Sequence, residues 1–92
     1  MKQKDKELYT SIDNILWTHW DPIGINADEY GRDEYSNYVP KILQYLKEGT
    51  DKKKLADYLH QNSTVNMGTN ADFDRDNKVA KMLIQEKERI LG

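Results

Sequence analysis

The sequence predicts an all-α fold, and three observations carry it. Apolar residues recur at spacings of three and four in four separate stretches. No run alternates apolar and polar residues as a half-buried strand would. Residue types that start and stop helices stand at the ends of the stretches. Four helices are expected, with short connections except for a long, partly buried loop between the first and the second.

The first helix is expected over about residues 5–18. Leu8, Ile12, Ile15, Leu16 and His19 share one arc at about 100° per residue. Asp5 is the expected N-cap, with Glu7 in the first turn. Trp17 falls on the opposite side. Pro22 excludes Asp21 from helical geometry and stops the helix. In Trp20-Asp21-Pro22-Ile23-Gly24-Ile25, turn chemistry is flanked by large apolar side chains, so this loop is expected to fold back on the core.

A second helix is expected from Glu34 to Lys47, capped by Asp33. Tyr35, Tyr38, Val39, Ile42, Tyr45 and Leu46 repeat at three and four across Pro40. A proline inside a helix removes one backbone hydrogen bond and bends it, so a kink is expected. The alternative is a helix that starts at Pro40, where proline is favoured. Gly49 is the expected C′ residue. The third helix, about 51–62, takes Thr50 or Asp51 as its cap and buries Leu55, Tyr58 and Leu59. Asn62 shares that face, and the helix is expected to weaken at Asn62-Ser63-Thr64. Gly68 turns the chain. Thr69-Asn70-Ala71-Asp72 resembles a capping box with Asp in place of Glu. The fourth helix, about 70–90, presents Phe73, Ala80, Leu83, Lys87 and Ile90, widened by Val79, Ile84 and Leu91.

At 92 residues the chain is expected to be one domain, 1–92, with a modest core. There is no cysteine, which excludes disulfide and thiolate chemistry. No apolar leader follows the basic start, and no stretch is long and apolar enough for a spanning helix. A cytoplasmic protein with no membrane association is therefore expected.

The net charge of −2 hides an asymmetry. Between residues 21 and 34, Asp21, Asp28, Glu29, Asp33 and Glu34 face only Arg32, a local charge of −4. Residues 35–70 carry an excess of two lysines, and 71–92 balance at five each way. A nucleic-acid binder carries a basic stripe instead; the one basic run, Lys52-Lys53-Lys54, reads as a solvated helix face. No direct nucleic-acid contact is expected.

Catalytic signals are weak. Asp72, Asp74 and Asp76 have the spacing of a calcium loop, but Asn77 and Leu83 stand where such a loop needs Gly and Glu. The three acids read instead as residues that suit the start of a helix. His19 and His60 have no zinc-ligand spacing, and His19 is expected to be partly buried. Ser11, Ser36 and Ser63 lie in no nucleophile motif, and there is no phosphate-binding glycine loop. No enzyme activity, metal or cofactor is expected.

The segment from Asp28 to Tyr38 interleaves carboxylates with tyrosines, which contribute contact area at low entropic cost. Asp28, Glu29, Tyr30, Asp33, Glu34, Tyr35 and Tyr38 are therefore the candidate partner-binding residues. Acidic groups around such anchors suit a basic protein surface and speed association with it. The competing reading turns Tyr35 and Tyr38 into the core and leaves Asp33 and Glu34 as caps. It accounts for those four residues but not for Asp28, Glu29 and Tyr30.

The motif Trp20-Asp21-Pro22-Ile23-Gly24, followed by Asp33-Glu34-Tyr35 and Tyr38, Leu46 and Gly49, Tyr58-Leu59 and Met67-Gly68, resembles a group of small, uncharacterised bacterial helical proteins. The resemblance spans about residues 12–84. Ser63-Thr64-Val65-Asn66 departs from it in being more polar than a helical continuation. Members of that group look like the immunity proteins encoded beside contact-dependent or polymorphic toxins. The resemblance implies binding and neutralisation of a cognate toxin domain, such as a nuclease with a basic surface. It supplies no catalytic residue. The alternative is a non-enzymatic helical adaptor or a homodimer.

Overall fold

The computed structural model describes residues 2–21, 35–66, 68 and 71–92. Among them four α-helices run in order: α1, Gln3–Ile15; α2, Val39–Lys47; α3, Lys52–Gln61; and α4, Phe73–Leu91. No strand occurs among the described residues. The all-α expectation, with four helices, is what the structure shows. None of the described helices is long and apolar enough to cross a membrane.

The helices enclose one buried apolar cluster. Leu8, Ile12, Ile15 and Leu16 come from the first helical stretch, Val39, Ile42 and Leu46 from α2, Leu55 and Leu59 from α3, and Val79, Ala80, Leu83 and Ile90 from α4. In each helix these positions recur at three and four, so one stripe per helix leaves water.

Several boundaries differ from the sequence expectation. Helix α1 begins at Gln3 after Lys2, with no side-chain cap, and Asp5 lies within the first turn, where its carboxylate accepts from Lys47 Nζ at 2.8 Å. At its C-terminus the helix opens into a π turn, Leu16–Trp20, closed by Asp21 N–H donating to Leu16 O at 3.0 Å. A π turn advances each residue by less than the ~100° of an α-helix. That smaller step carries Trp20 onto the buried stripe and leaves His19 exposed, which corrects the expectation of a partly buried His19.

Pro40 does not kink a helix. It lies in the first turn of α2, where its missing N–H leaves no bond unmade, and a short 3₁₀ turn, Ser36–Tyr38, precedes it. The alternative start at Pro40 is therefore the closer description. Gly49 ends α2 as expected. Its φ of +75° lets its own N–H reach Leu46 O at 3.1 Å and Thr50 N–H reach Tyr45 O at 3.0 Å, the paired bonds of a Schellman cap.

Asp51 caps α3 by accepting from Lys54 N–H at 2.8 Å. Beyond Gln61 a second π turn, Asn62–Asn66, continues the helical path. Its polar residues bond back to the preceding turn: Asn62 Nδ2 donates to Tyr58 O, and the Ser63 and Thr64 hydroxyls donate to His60 O. Helix α4 is capped by Asp72, which accepts from Arg75 N–H at 3.0 Å. The expected start at residue 70 with a capping box from Thr69 is thus moved to Asp72. Phe73, expected in the core, is 60% exposed.

Candidate functional site

The acidic segment is flanked by two described turns that pack on each other. The π turn delivers Trp17 and Trp20, and the 3₁₀ turn delivers Tyr35 and Tyr38. Residues three apart eclipse one another in a 3₁₀ turn, so both tyrosines meet the same indole. Trp20 makes edge-on contacts with Tyr35, at 5.5 Å between ring centres, and with Tyr38, at 5.6 Å. Trp17 lies 6.1 Å from Tyr35. Ser36 Oγ donates to Asp13 Oδ1 at 3.1 Å and ties the 3₁₀ turn to α1.

Asp21 closes the arrangement. Its backbone is left-handed, at φ 33°, a conformation that Asp tolerates better than most residues. Its Oδ1 accepts from the Tyr35 hydroxyl at 2.6 Å. The chain that leaves at Asp21 therefore returns, fourteen residues later, to within one short hydrogen bond of its departure.

Of the candidate partner-binding residues, Asp28, Glu29, Tyr30, Asp33 and Glu34 lie outside the described residues, as do Pro22, Ile23, Gly24 and Ile25, the expected buried turn. Tyr35 is corrected: it is fully buried, with its ring against Trp17 and Trp20 and its hydroxyl on Asp21, so it has no surface to offer a partner. Tyr38 is half-buried against the core. The competing reading, in which these two tyrosines turn inward, describes Tyr35 in full. Trp20 is 1% exposed, as expected of a core residue, and Asp21 is half-buried.

Beneath Trp20 lies a polar cluster that sequence reasoning did not find. Asp76 is 1% exposed, and its Oδ1 accepts from Trp20 Nε1 at 3.0 Å and from Arg75 Nε at 3.2 Å. Arg75 Nη2 stands 3.1 Å from the same oxygen. His60 Nδ1 lies 3.5 Å from Asp76 Oδ2, and the His60 ring stacks on Phe73 at 4.0 Å. A buried carboxylate is tolerated only with such compensation, since desolvating it alone is very costly. The signal was present: Asp76 falls three residues before Val79, four before Ala80 and seven before Leu83, on the stripe that α4 buries.

The fold also separates the three acids of the calcium-like spacing. Asp72 caps α4, Asp74 is exposed, and Asp76 turns into the core, so the three carboxylates do not converge. No group of three metal-ligating side chains occurs among the described residues. Elsewhere, Glu86 receives hydrogen bonds from Arg89 and from Ser11 Oγ, at 2.8 Å for the latter, which lower its pKa from the ordinary glutamate value.

No protein-family model matches the chain, and no curated protein and no solved structure does so either.

Proposed function

We propose that this chain is a non-catalytic binding protein that neutralises a cognate bacterial toxin domain by presenting its acidic segment, residues 21–34, to a basic surface on that toxin. The observation that carries this reading is the hydrogen bond from Tyr35 to Asp21, with Trp20 packed on both flanking turns. Fixing the two ends of a segment lowers the conformational entropy lost when it engages a partner. The residues of the resembling signature thereby acquire a division of labour. Trp20, Asp21 and Tyr35 hold the base, and Asp28, Glu29, Tyr30, Asp33 and Glu34 make the contact. Tyr38, half-buried on Trp20, belongs with the base.

The test is the double reversal Asp28→Lys with Glu29→Lys, co-expressed with the cognate toxin domain. Circular dichroism should show an unchanged fold, while growth protection falls and association with the toxin slows in a salt-dependent manner. Reversal of the exposed Glu88 on α4 serves as the control. Full protection by the folded double variant would place the contact elsewhere, and a chain that is a homodimer in solution and ignores the toxin would favour the adaptor alternative.

A further inference from the structure

A second feature has different chemistry. Between the π turn that ends the first helical stretch and the first turns of α4 lies a cleft of about 250 Å³, lined by His19, Arg75, Lys78, Val79 and Met82. Among the described lining residues three are basic and none is acidic. His19 and Lys78 are exposed, Arg75 and Met82 are half-buried, and Val79 forms a buried floor.

Arg75 is held in place. Its Nε and Nη2 face Asp76 Oδ1 at 3.2 and 3.1 Å, and that carboxylate is itself fixed by the Trp20 indole. A guanidinium carries five N–H donors in a rigid plane, so engaging one edge on Asp76 leaves donors for a ligand with little further ordering. Asp76 offsets one positive charge. Lys78 keeps a cationic surplus beside the donors of Arg75 and the His19 ring, which suits the three oxygens of a phosphoryl group better than the two of a carboxylate. The cleft is larger than an inorganic oxyanion requires, and the Val79 and Met82 walls suit an apolar group attached to it.

We propose that this cleft binds a small phosphate monoester. The phosphoryl oxygens meet Arg75, Lys78 and His19, and the organic part rests on Val79 and Met82. Asp76 is a positioning residue, acting through Arg75.

The experiment is a titration of the isotope-labelled protein with phenyl phosphate, followed by nuclear magnetic resonance at the His19 ring and the amides of Lys78 and Val79. Inorganic phosphate and benzoate serve as comparisons. Saturable shifts with a Kd at or below about 1 mM are expected for phenyl phosphate. Inorganic phosphate should bind more weakly because it leaves the apolar walls uncovered. Benzoate, with one charge, should also bind more weakly. Lys78→Gln and His19→Gln change exposed side chains, and each should weaken phenyl phosphate binding by about tenfold while circular dichroism stays unchanged, the loss expected for one charge-assisted hydrogen bond. Absence of saturation at millimolar phenyl phosphate, unchanged affinity in either variant, or equal binding of benzoate or of inorganic phosphate would overturn the assignment.

Discussion

Trp20 Nε1 donates to Asp76 Oδ1 at 3.0 Å across 56 residues of sequence, in a place where both side chains are all but sealed from water. This bond joins the end of the first helical stretch to the start of the fourth. It also connects the aromatic base of the acidic segment to the polar cluster that orients Arg75. The aromatic packing of Trp20 on Tyr35 and Tyr38 and the polar cluster around Asp76 therefore share one buried contact.

Removing the acceptor should be among the most damaging single changes. Asp76→Ala strands the Trp20 N–H and leaves the Arg75 charge without its partner, a loss of about 3 to 5 kcal/mol. Asp76→Asn keeps an oxygen for Trp20 and should cost less. Urea unfolding of the two variants beside the parent checks the order. An Asp76→Ala protein as stable as Asp76→Asn would mean that the oxygen that accepts from Trp20 contributes nothing.

Tyr35→Phe keeps the ring in the core and removes only the hydroxyl that Asp21 accepts from. The expected cost is about 1.5 to 3 kcal/mol, the net value of a hydrogen bond to a charged acceptor. Amide exchange should accelerate at Asp21 and at Ser36 more than in α3. Uniform acceleration along the chain would show that the bond does not act locally.

Gly49→Ala isolates a backbone effect. A Cβ at Gly49 meets no atom within 4 Å, so space is not the obstacle. The left-handed φ is, and it should cost about 1 to 2 kcal/mol with Ala, but less with Asn. Thermal melts of the two variants compare them directly.

Tyr58 makes the alkaline limb of stability testable. Its pKa is raised above 10.0, first by burial and then by the neighbouring Tyr45 and Tyr38 hydroxyls. The folded state therefore favours the neutral phenol. The associated stability is complete below pH 10 and is lost as pH rises from there through the folded value. Absorbance titration should show Tyr58 ionising late, as a component that Tyr58→Phe removes. In Tyr58→Phe the alkaline decline should be shallower; an unchanged decline would assign it to other groups.

The sequence by itself determined the helical class and the main stripes of the core, because both follow from local rules. Spacings of three and four put Leu8, Ile12 and Ile15, or Val79, Ala80 and Leu83, on one side of a helix whatever else the chain does. The caps at Asp51 and Gly49 were legible for the same reason: each acts on backbone groups within a few residues. Only the tertiary structure decided the positions where a local preference met a distant partner. The π turn forsakes α-helical register at Leu16–Trp20, where it brings Trp20 to Asp76, and that gain belongs to no local rule. Tyr35 was equally suited by composition to a surface anchor or a core side chain, and its contacts with Trp17, Trp20 and Asp21 made it the latter. Asp76 reads as one more acid in the first turns of a helix. Its burial follows because an indole N–H from 56 residues away, beside the guanidinium of the adjacent Arg75, supplies what water would otherwise have supplied.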